Sequence, residues 1–141
     1  MLSGTAIAVK GLSPDTQVIG AEPKGADDAW RSFQAGCMVT VDQPRTIADG
    51  LLMPLSQRTF DIMRERVRQI VTVREEAIVK AMRFVWERMK IIIEPSSAVA
   101  VAPLLEGDLD AGGKRVGIIF SGGNVDLTRL PWLENYILSY H

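Results

Sequence analysis

Apolar residues recur along the chain at two spacings, and each spacing predicts a different element. "SGTAIAVK" (3–10), rich in small residues, predicts a short helix closing at Gly11 before the turn "SPD". "TQVIGAEP" (16–23) holds an apolar run, Val18 to Ala21, that predicts a buried strand passing into a polar loop. "DDAWRSFQAG" predicts a helix capped by Asp27 or Asp28. Residues 37–50 follow neither spacing and end in the loop-like "TIADG". Phe60, Met63, Val67 and Ile70 fall on one helix face, with Ser56 placed to cap it. "IVTV" (70–73) predicts a strand. Thr72 and Glu75 have capping-box spacing and open a helix to about Lys90, with Ile78, Met82, Val85 and Met89 as its inner face. Pro95 suits the first turn of a further helix, "SSAVAVAPLLEG", and Gly112-Gly113 precede a final strand, "RVGIIF" (115–120).

Short apolar strands alternating with amphipathic helices predict an α/β fold: a largely parallel sheet with helices on both faces, in one domain over 1–141. Ligands of such sheets bind beyond the carboxyl ends of the strands. That rule places Glu22, Glu94 and the turn "SGGN" (121–124) on one shared face. Three predicted strands fall short of the usual five or so, and the first helix has no strand before it. The pattern reads as an α/β domain entered part-way through a unit.

Charge removes some functions. Sixteen Lys and Arg against seventeen Asp and Glu give a net charge of -1, which provides no basic footprint for nucleic acid or an anionic membrane. No apolar run approaches the ~20 residues of a membrane span, and "MLSGTAIAVKG" lacks the basic start of a signal peptide. The single cysteine, Cys37, has no partner for an internal disulfide, which fits a reduced setting. The expectation is a soluble, cytoplasmic protein with no nucleic-acid or membrane partner. His141 is the only histidine, so a histidine-based triad is not available.

"GIIFSGGNVDL" (117–127) raises the chemical question, because an apolar run stops at a hydroxyl, two glycines and an amide. These residues make an ordinary tight turn. They equally make a ligand cradle, since glycines let a ligand approach backbone N–H groups. Spacing alone does not separate the two.

The longer word "SGGNVDL" does more. Together with "MLSGTAIAVKGLSP", "VIGAEPKGADDA", "TIADG", "VWERMK" and "IEPSSAV", in that order, it resembles the fold-type II pyridoxal-phosphate enzymes, specifically the serine racemases and serine/threonine dehydratases (threonine ammonia-lyases). The resemblance implies a partial three-layer sheet, the C-terminal part of the large domain of the tryptophan-synthase-beta-like fold, with pyridoxal phosphate as cofactor. It implies that Ser121 hydrogen-bonds the cofactor's ring nitrogen, with Gly50, Gly122, Asn124 and Glu94 around it. It implies a Mg²⁺ or Ca²⁺ site from the carboxylates of Glu22 and Asp28 and the carbonyl of Ala26, hard oxygen donors that suit either ion. Lys90 and Asn124 match positions near a nucleotide effector site, for which ATP is the candidate. Plainer readings stand beside these: Gly50 as a loop glycine, Glu94 as a solvated strand end, Glu22 and Asp28 as acids of a polar loop. Trp86 and the Met and Phe positions of the long helix read as core.

In this family the lysine that carries the cofactor sits in a motif like Ser-Phe-Lys-x-Arg-Gly, and Lys10, Lys24, Lys80, Lys90 and Lys114 all lack that context. The family's glycine-rich phosphate loop would end where "MLSG" begins. The resemblance therefore implies the C-terminal half of a longer enzyme, with Met1 an internal methionine and the small domain and catalytic-lysine segment absent. Of the phosphate site, only the helix start near Ser3 would remain, a weak anion site. The parent enzyme would act on serine or threonine, and this chain would be inactive alone, entering a homo-oligomer or pairing with a full-length subunit. The alternative is a non-catalytic truncated paralogue that acts by association.

Overall fold

Two strands, β1 (Ile19–Pro23) and β2 (Gln69–Val73), pair in parallel in the computed structural model, which describes residues 1–133. Ile19 lies opposite Gln69 and Pro23 opposite Val73. Ile70 and Val73 are the buried residues of β2, and their odd separation sends them to opposite faces of the sheet. That geometry divides the core in two.

On one face Ile70 joins Ala6 of α1 (Leu2–Leu12), Ala29 of α2 (Asp28–Ala35) and Met63 of α3 (Gln57–Arg66). On the other, Val73 joins Ile78, Met82 and Val85 of α4 (Glu75–Met89), Ala98 of α5 (Pro95–Ala98) and Ala102 of α6 (Ala102–Glu106). Helices therefore cover both faces, as the alternating pattern predicts. Burying Ile78, Met82 and Val85 contributes roughly 1.5–3 kcal/mol each, so α4 is anchored by its apolar stripe. Ser56 caps α3 as expected, its side chain accepting from the Thr59 N–H.

Several expectations are corrected. α1 runs through Gly11 to Leu12, because Ser13 N–H reaches Val9 O and completes the last turn. β1 extends two residues beyond Ala21 to Pro23, because its ladder with β2 continues to Val73. Glu22 therefore sits inside a strand rather than past its end. Asp27 holds the capping position of α2, but its carboxylate pairs with Arg31 at 2.7 Å instead of capping. The Thr72–Glu75 capping box does not form: Thr72 belongs to β2, and Glu75 is engaged elsewhere. Met89 is half exposed, since α4 ends there and Lys90 turns into the left-handed region at φ 59°.

The expected helix from Pro95 to Gly107 is broken into α5 and α6. Pro103 has no N–H to give the carbonyl one turn back, so an unbroken helix cannot pass it. "RVGIIF" is not a strand, because none of the described residues offers it a hydrogen-bonded neighbour, and a strand exists only by pairing. Among the described residues no helix is long and apolar enough to cross a membrane. His141 lies outside them.

Candidate functional site

The segment after "RVGIIF" folds against the head of α5, and one buried side chain organises the contact. Ser97 Oγ donates to Gly122 O at 2.8 Å and accepts from Gly122 N–H at 2.9 Å. It also lies 3.1 Å from Ser121 Oγ. Glu94, at the capping position of α5, donates its N–H to Gly122 O at 3.1 Å and accepts from Asn124 N–H through Oε2 at 3.0 Å. The expected tight turn at 121–124 does not form: residues 114–126 run without a turn or bend, and both glycines are pressed onto neighbours. A Cβ on Gly122 would meet Glu94 Oε1 at 2.7 Å, and one on Gly123 would meet Ile92 O at 2.6 Å. Close approach, rather than an unusual φ, favours glycine here, most strongly at Gly123, whose neighbour is fixed backbone.

A third segment joins from the earlier loop. A short 3-10 turn (Asp49–Leu51) packs on α5, where Gly50 N–H donates to Ser96 Oγ at 3.1 Å and to Asp49 Oδ1 at 2.8 Å. The segment is held from behind by Glu75, whose Oε2 accepts from Thr46 Oγ1 at 3.1 Å and from Ile47 N–H at 2.9 Å. Ser121, Asn124 and Gly50 are exposed, while Ser97 is buried beneath them. The five residues expected around a cofactor, Ser121, Gly50, Gly122, Asn124 and Glu94, thus gather around one four-residue helix.

Trp86 is core, as expected, and also a tie. Its indole N–H donates to Ile93 O at 2.9 Å, one residue before Glu94, and its ring meets Trp132 edge-on at 5.3 Å.

The expected cation residues form a separate group. Glu22 Oε2 accepts from Trp30 N–H at 2.7 Å, and Asp28 Oδ2 accepts from Leu55 N–H at 2.7 Å. Ala26 is buried between them in sequence, at the turn from β1 into α2. Burial pushes the Glu22 carboxyl up to about 7, the Trp30 N–H opposes that, and the negative charge of Asp28 adds to it. Carboxylate oxygens and a backbone carbonyl are hard donors of the kind a divalent cation takes. Among the described residues, no cluster of three or more His, Cys, Asp or Glu is arranged to hold a metal. β1 carries Glu22 toward α2, whose Trp30 N–H it accepts, while Glu94 and Ser121 gather at α5.

The sequence reading names none of Ser97, Ser96 and Thr46, and gives Glu75 only a helix-capping role. The signal available for Ser97 was its place two residues after Pro95, inside "IEPSSAV", where a small hydroxyl residue faces whatever packs on a helix start. Thr46 and Glu75 are 29 residues apart, and nothing local links them.

An α/β chain with a serine–glycine segment clasped to a short helix has clear counterparts. The model of the pyridoxal-phosphate dependent enzyme family matches residues 1–122, and the chain belongs to that family. It is similar to a β-hydroxyaspartate dehydratase of Paracoccus denitrificans, 48% identical over 132 residues, covering 94% of this chain and 42% of the relative. It is also 48% identical over 139 residues to a serine racemase of Dictyostelium discoideum, covering 96% and 43%. Among solved structures, maize serine racemase superposes with a TM-score of 0.84 at 40% identity, covering 89% of this chain and 40% of that one. A threonine deaminase isoform from Solanum lycopersicum gives 0.81 at 29% identity, covering 92% and 36%. The fold is that of the fold-type II enzymes. The chain spans about two-fifths of the length of the curated relatives it matches.

Proposed function

We propose that the chain forms the C-terminal part of the cofactor-binding large domain of a pyridoxal-phosphate-dependent racemase or ammonia-lyase acting on a hydroxy amino acid such as serine or threonine. The clasp of Ser97, Ser121 and Gly122 against Glu94 carries this reading, since it presents an exposed hydroxyl beside glycine backbone that neighbouring groups approach closely. That arrangement fits a flat, ring-bearing cofactor. When bound, pyridoxal phosphate supplies the electron sink that lets an amino acid lose its α-proton, leading to loss of the β-hydroxyl with release of a 2-oxo acid and ammonia, or to the D-isomer.

Within that chemistry each residue has a stated task. Ser121 meets the ring nitrogen with a neutral hydroxyl, which leaves the ring a milder electron sink than a carboxylate would. Gly50 and Gly122 provide backbone that a ring can approach. Glu94 fixes Asn124 and its segment to α5. Glu22, Asp28 and the Ala26 carbonyl, where β1 passes into α2, would hold Mg²⁺ or Ca²⁺. Lys90, at the end of α4, and Asn124 are the positions for ATP as an effector. The small domain and the cofactor lysine belong to the rest of a longer enzyme, which assembles as an oligomer. No observation favours the non-catalytic paralogue over this reading.

The test is uptake of pyridoxal phosphate by the complete gene product, followed by release of 2-oxo acid from L-serine and L-threonine. The 141-residue chain alone is expected to release none, because none of its lysines has the required context. Absence of cofactor uptake by the complete product would refute the proposal.

A further inference from the structure

Ser97 makes three polar contacts with one hydroxyl, and the protons available decide how they are shared. A serine hydroxyl donates once and accepts twice. Gly122 O can only accept, so the single Ser97 proton is committed to it; Gly122 N–H and Ser121 Oγ must then both donate to Ser97. In this arrangement the Ser121 proton rests on Ser97. If an acceptor arrives at the exposed side of Ser121, that proton can turn outward without breaking either Gly122 bond. Ser97 stays satisfied throughout, which matters because it is buried.

We propose that Ser97 is a positioning residue for Ser121: it clamps Gly122 by both backbone groups and holds the Ser121 hydroxyl until a ligand acceptor takes it. The inference rests on the reading that Ser121 faces the cofactor's ring nitrogen. Its ligand-free part, the clamp, stands on the hydrogen bonds alone. Ser97 itself touches no cofactor atom in this scheme.

The experiment uses the complete gene product with pyridoxal phosphate isotopically labelled at the ring nitrogen, in the parent protein and in Ser97→Ala, Ser121→Ala and the double variant. Hydrogen exchange at the Gly122 amide is measured alongside. Ser97→Ala is expected to speed Gly122 exchange roughly tenfold or more, since a half-buried amide loses its acceptor. It is also expected to move the ring-nitrogen signal and weaken cofactor affinity roughly tenfold in the parent background, yet to change neither once Ser121 is alanine. Equal effects in both backgrounds would mean general damage to the fold and would overturn the positioning role. Unchanged exchange at Gly122 would overturn the clamp. A parent protein that takes up no pyridoxal phosphate would instead refute the reading of the site. Uptake without dependence on Ser97 would refute this inference alone.

Discussion

Glu22 is held inside β1 with its carboxyl shielded from water and beside the charge of Asp28, and its affinity for a proton rises to about 7. A raised carboxyl means the folded chain binds the proton more tightly than the unfolded chain between the ordinary value of 4.5 and about 7. Stability is therefore full below that window and falls as pH rises through it, by at most about 3 kcal/mol. Thermal melts at about pH 5 and about pH 8 should show this loss, and Glu22→Gln should abolish most of it. Added Mg²⁺ or Ca²⁺ should restore the parent at the higher pH but not the Gln variant, and no effect of either ion would contradict the cation site. Glycine positions give a second residue-scale prediction. Gly122→Ala drives a methyl into Glu94 and should destabilise by roughly 1–3 kcal/mol in urea titrations. Gly4→Ala, within α1 and with nothing near its added methyl, should stabilise by roughly 0.5–1 kcal/mol.

At the scale of elements, α4 does two jobs that its sequence shows unequally. Its buried stripe is plain from Ile78, Met82 and Val85, which recur at helical spacing. Its first residue is not plain: Glu75 has the look of half a capping box, yet its carboxylate turns away to hold Thr46 and Ile47. The reason is that β2 continues through Thr72, so the supposed capping partner is committed to a sheet. Glu75→Ala should therefore loosen the segment before Gly50, with faster amide exchange at Ile47 and a loss of roughly 1.5–3 kcal/mol. Exchange confined to the first turn of α4 would point to an ordinary helix-end role instead. The split of α5 from α6 was legible in principle, since Pro103 forbids a continuous helix. The position of Ser97 was not, because its partners Ser121 and Gly122 lie about 25 residues away.

For the whole molecule, the decisive feature is apolar surface left uncovered. Ile92 is 54% exposed, Val116 52% and Ile119 53%, with Ile91 and Ile118 beside them in the chain. Patches of this kind mark association surfaces. The isolated chain should sediment above its monomer mass in a concentration-dependent way, and Ile92→Lys with Ile119→Lys should reduce that; an invariant monomer would contradict it. The sequence by itself determined the alternation of strands and helices, the apolar stripe of α4 and the segments that carry the family likeness, because periodicity and short motifs are local properties. It also named Ser121, Gly50, Gly122, Asn124 and Glu94, which the fold gathers at α5. Only the tertiary structure decided that Glu22 is held by α2, that Ser97 links Ser121 and Gly122, and that "RVGIIF" has no strand beside it among the described residues. Each of those depends on which distant segment lies alongside, and hydrogen bonds between distant residues leave no spacing in the chain to be read.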